Sequence, residues 1–119
     1  MYNFDLDAYY TDAKLTYETR AEIERVADEV TKEGFKNIFF ISSGGSLAVM
    51  RPIQYLLRSK TKIPTYCEIA SEVILTGNSQ LNEDSIVITS SKSGTTKETV
   101  EAIQYCNERN IRVIAFCGK

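Results

Sequence analysis

Residues 85–103 read SIVITSSKSGTTKETVEAI. The run opens with Ile86-Val87-Ile88, a short apolar stretch of β-forming residues. Ser90, Ser91, Ser93, Thr95 and Thr96 then crowd around Gly94, and from Thr95 to Arg109 the apolar residues Val100, Ile103 and Cys106 recur on one side of a helix. Strand, hydroxyl-rich turn and helix therefore follow one another without a spacer. The same order occurs earlier: Asn37-Ile38-Phe39-Phe40-Ile41 is a continuous apolar run, Ser42-Ser43-Gly44-Gly45-Ser46 is a small polar turn, and apolar residues recur from Leu47 to Leu57. Continuous apolar strands are covered on both faces, as in a parallel sheet between helices.

The remaining segments fit this frame. Ile23, Val26, Ala27 and Val30 recur at helical spacing among glutamates and lysines, so residues 13–33 are expected to form an amphipathic helix, with Thr11 or Asp12 able to cap it and Gly34 stopping it. Leu47, Val49, Met50, Ile53, Leu56 and Leu57 spread around much of a helical circumference, which predicts a well-buried helix, with Pro52 at a kink or a frayed first turn. Pro64 to Cys67 reads as a second strand and Ala70 to Leu75 as a helical turn closed by Gly77-Asn78-Ser79. Asn110 ends the last helix, and Arg112 to Phe116 is the fourth strand. An order αβαβαβαβ implies right-handed crossovers, a parallel sheet and helices on both faces: an α/β three-layer αβα sandwich, with flavodoxin-like strand order 2-1-3-4. Since Cys117-Gly118-Lys119 directly follow a strand, a final strand and helix are expected to be missing, as in a fragment of a longer protein or an obligate oligomer.

The bulk composition narrows the function classes. A chain of 119 residues, 43% hydrophobic and 25% charged, is sized for one globular domain. Net charge −2 offers no basic field for nucleic acid or acidic lipid, and no apolar run reaches the ~20 residues of a membrane span, so a cytoplasmic protein is expected. The three cysteines form no C-x-x-C pair and read as buried, reduced thiols. Histidine is absent, which removes Ser-His-Asp and Cys-His activation and the commoner zinc sets from this stretch. No metal and no cofactor is expected.

In a 2-1-3-4 sheet the first and third strands are neighbours, and the chain leaves them toward opposite faces. The two hydroxyl-rich turns therefore flank the crevice in which such folds bind ligands. A helix amino terminus offers unpaired N–H groups and about half a positive charge, glycine allows close backbone approach, and hydroxyls donate to oxygen, which together suit a phosphate. The dipole supplies only ~0.3–2 kcal/mol, whereas each hydrogen bond to a charged group nets ~1.5–3 kcal/mol, so a ring of donors must carry the affinity. Walker, dinucleotide and nucleophile-elbow motifs are absent. Alternative readings stand beside this one. Thr95-x-x-Glu98 also forms a capping box, Lys92 is either a point charge for the anion or an exposed lysine, and Glu72 either reaches a substrate hydroxyl or is a solvated helix carboxylate.

The turn at residues 41–46, the segment Glu68-Ile69-Ala70-Ser71-Glu72 and above all Ser91-Lys92-Ser93-Gly94-Thr95-Thr96-Lys97-Glu98-Thr99 resemble the sugar isomerase (SIS) domain, the module of glucosamine-6-phosphate synthase, phosphosugar isomerases and related deglycases. The resemblance covers about Lys36 onward, leaving residues 1–35 as a helical lead and 36–119 as most of the first of two such domains. In the family the Ser-x-Ser-Gly-x-Thr element wraps the sugar phosphate. By matching positions this implies the hydroxyls of Ser91, Ser93 and Thr96, the backbone at Lys92 and Gly94, and Ser46 with Gly45 from the other wall. Ser43 and Glu72 are candidate sugar contacts. Thr95 stands where many members carry glutamate, and Lys92 where glutamine is frequent. The tyrosine-rich start and SSGGSLAVMRPIQYLL (residues 42–57) are most similar to fructosamine-6-phosphate deglycases, such as those acting on fructoselysine 6-phosphate.

The resemblance implies a phosphorylated sugar or ketose-amine as ligand, a homodimer or higher oligomer, and acid/base residues beyond Lys119, so that this stretch alone would bind without turning over substrate. The alternatives are a phosphosugar-sensing module of a transcription regulator and a domain used only for assembly.

Overall fold

The computed structural model describes residues 6, 7, 10, 14, 19–91 and 97–117, the last of these by its backbone alone. The proposed caps Thr11 and Asp12 lie outside the described residues, as do Lys92, Ser93, Gly94, Thr95 and Thr96. The chain divides into two compact units, residues 1–34 and 35–119. In the first, helix α1 spans Arg20–Glu33 and ends at Gly34, whose N–H donates to the Val30 carbonyl. Its exposed face is laced by Arg20–Glu24 at 2.9 Å and by Arg25 bridging Glu22 and Glu29. Such i,i+3 and i,i+4 pairs contribute only ~0.3–0.5 kcal/mol each.

The second unit runs β1 (Asn37–Ser42), α2 (Gly44–Lys60), β2 (Thr65–Ile69), α3 (Ala70–Thr76), β3 (Ser85–Ser91), α4 (Lys97–Glu108) and β4 (Arg112–Cys117). The four strands form one sheet in the order β2-β1-β3-β4, with every pairing parallel. β1 is buried along its whole length, as its unbroken apolar run requires. Alternation along the strand sends Phe39 and Ile41 into one cluster, with Val87, Ala70 and Val73 of α3, and Ala102 and Cys106 of α4. Ile38 and Phe40 enter the other, under Met50 and the half-buried Leu57 of α2. The result is three layers, with α3 and α4 on one face and α2 on the other.

The burial expected for α2 is not observed. Only Leu47 and Met50 are buried, while Val49, Ile53, Tyr55 and Leu56 are exposed. Apolar spacing reports how wide the hydrophobic stripe is, not how many elements exist to cover it. In this unit, among the described residues, no second helix shares that face of the sheet. Pro52 lies inside the helix, where its missing N–H leaves the Ala48 carbonyl without its usual donor.

Gly77 closes α3 with φ 66° and ψ −171°, a conformation almost confined to glycine, and its N–H donates to the Val73 carbonyl at 2.8 Å. A Cβ there would lie 3.1 Å from Tyr105 Oη on α4. Gly77→Ala is therefore expected to cost roughly 1–3 kcal/mol and to lower the melting temperature by several degrees in a thermal scan. Adding Tyr105→Phe would recover only the part due to contact, because the backbone strain remains.

Candidate functional site

Because β1 and β3 are paired neighbours while α2 and α4 lie on opposite faces, the chain diverges at their carboxyl ends. This is the switch point at which doubly wound sheets bind ligands. One side-chain bond ties the two ends: Ser42 Oγ donates to the Ser90 carbonyl at 2.8 Å. Ser42 is 1% exposed, so the bond satisfies a hydroxyl that water cannot reach. Sequence reading assigned it no such role. The visible signal was a serine placed where each apolar strand stops.

On the first wall, Ser43 occupies the N-cap position of α2 with an extended backbone (φ −133°, ψ 147°) but makes no capping hydrogen bond. An N-cap serine ordinarily accepts from the second or third helical N–H. Here Ser43 Oγ is buried with no hydrogen-bond partner. Gly44 follows at φ 56°, in the left-handed region where glycine is at ease. Gly45 and Ser46 complete the first turn, which contains no acidic residue. The positive end of a 17-residue helix is thus left without capping from Ser43 and without a carboxylate in its first turn to offset it.

The second wall begins at Ser91, the last residue of β3, which is 5% exposed. Two residues earlier, with its side chain on the same side of the strand, Thr89 is 2% exposed and its Oγ1 also has no partner. Of the expected constellation, the structure brings Ser43, Gly45, Ser46 and Ser91 to this one edge, whereas Lys92, Ser93, Gly94 and Thr96 lie outside the described residues. Glu72 stands exposed in the first turn of α3, which starts from the same edge, since Ile69 at the end of β2 pairs with Ser42. Four residues earlier, on β2, the half-buried Glu68 accepts a hydrogen bond from Asn78 Nδ2 at 3.1 Å, an anchor for the loop after α3.

Among the described residues, the thiols of Cys67 and Cys106 offer no competing chemistry. Burial pushes the Cys106 thiol up to about 11, against the opposing pull of Arg109, and holds Cys67 above its usual value, so both are protonated and poorly nucleophilic at neutral pH. Among the described residues, no His/Cys/Asp/Glu group could hold a metal ion, and no helix is long and apolar enough to cross a membrane. What the arrangement can do is donate hydrogen bonds to an anion.

Comparison with known proteins agrees with this geometry. The SIS domain profile matches residues 34–119. Fructosamine deglycase FrlB of Bacillus subtilis is 31% identical over 108 residues, covering 90% of this chain and 33% of the deglycase. The isomerizing glutamine–fructose-6-phosphate aminotransferase of Corynebacterium diphtheriae is 31% identical over 91 residues, 76% of this chain and 14% of the enzyme. Among solved structures, a Bacillus subtilis protein provisionally assigned as a phosphosugar isomerase superposes with TM-score 0.69 at 36% identity, over 72% of this chain and 26% of its own. The C-terminal domain of glucosamine-fructose-6-phosphate aminotransferase from Francisella tularensis gives TM-score 0.64 at 27% identity, over 71% of this chain and 24% of its own. The chain spans a third or less of each of these relatives. On a profile match covering most of its length, and on a parallel sheet of order β2-β1-β3-β4, the chain belongs to the SIS domain family.

Proposed function

We propose that this chain binds the phosphate of a sugar phosphate between the first turn of α2 and the turn that follows β3. The observation that carries the reading is the start of α2: Ser43 leaves its helix uncapped and hides an unpartnered hydroxyl beside N–H groups that no acidic side chain in that turn offsets. An anion seated there would receive what a cap ordinarily takes. The donors on the first wall are Ser43, Ser46 and the backbone at Gly45. Those on the second are the hydroxyls of Ser91, Ser93 and Thr96 and the backbone at Lys92 and Gly94, with Lys92 as a nearby positive charge. Glu72, on the adjoining helix, is placed to accept from a sugar hydroxyl. Phosphate binding holds the sugar while acid/base groups elsewhere in a longer protein open the ring and move protons between C1 and C2.

The finer reading is a fructosamine-6-phosphate deglycase, in which water and the phosphorylated ketose-amine give glucose 6-phosphate and a free amine. Similarity to a fructosamine deglycase over 90% of this chain supports that branch. Homodimeric association and a cytoplasmic setting belong to the same reading.

Calorimetric titration of the chain with fructose 6-phosphate and with fructose tests the site. Selective binding of the phosphorylated sugar is expected, and equal affinity for both would reject it. For the activity, a protein containing this chain should release glucose 6-phosphate from fructoselysine 6-phosphate. Binding without release would leave a phosphosugar sensor.

A further inference from the structure

We draw no further inference here: the strongest candidate, the exposed apolar stripe of Val49, Ile53 and Leu56 along the outer surface of α2, carries nothing because nothing in the structure shows what covers it.

Discussion

Phe39→Ala is expected to destabilise the chain by about 3–5 kcal/mol, the range for truncating a fully buried aromatic residue. Phe39 is 0% exposed, sits on β1 between Tyr66 of β2 and Val87 of β3, and its ring stacks on that of Tyr66 at 4.6 Å between centroids. Its removal deletes apolar area, a ring–ring contact and the wedge that spaces α3 and α4 from the sheet. Domains of this size are stable by only about 5–15 kcal/mol, so the loss approaches the whole margin. Urea unfolding followed by far-ultraviolet circular dichroism should show a much lower midpoint or a variant unfolded without denaturant. Val49→Ala, at a position 70% exposed, is the control and should change stability by less than about 0.5 kcal/mol. A Phe39→Ala variant within about 1 kcal/mol of the parent would mean that the larger cluster does not hold the sheet.

Ser91→Ala combined with Ser93→Ala should weaken fructose 6-phosphate binding about 10²- to 10⁴-fold. Two hydrogen bonds to a charged group, each worth ~1.5–3 kcal/mol, disappear together, and every 1.4 kcal/mol is a factor of ten. Ser91 is placed at the carboxyl end of β3, and Ser93 follows two residues later in the sequence. Calorimetry gives the affinity, and a melting curve checks that the fold survives. A change of less than about threefold in an intact double variant would place the phosphate elsewhere. Because both substitutions remove only an oxygen atom, neither opens a cavity large enough to imitate a packing defect.

These two experiments also mark what could be read from the sequence and what could not. Phe39 and its neighbours were legible because an unbroken apolar run in β1 admits few structures besides a central parallel strand. The parallel sheet with helices on both faces followed from alternation of strands and helices, and the strand order is the expected one. The extent of β3 was less legible. Ser90 and Ser91 are hydroxyl residues that read as turn chemistry, yet the parallel ladder with β4 pairs them with Phe116 and Cys117 and draws them into the sheet. The exposure of α2 was not legible either, because its breadth of apolar residues records a potential for burial that depends on which elements stand beside it. At the site, composition pointed to an anion and to the two serine-rich turns. That Ser43 forgoes capping is a matter of rotamer and backbone angle, invisible in the letters S-S-G-G-S. The difference between Gly44 and Gly45 is likewise a difference of φ.

The lopsided interior has one more effect. Among the described residues, eight buried ones form the cluster with α3 and α4, but only Ile38, Phe40 and Met50 form the one beneath α2. The helix that carries the first wall is therefore held to its strands over the smaller of the two clusters. An occupant of the crevice would act as a rivet between α2 and the ends of β1 and β3, so that recognition and tightening of the scaffold become a single event.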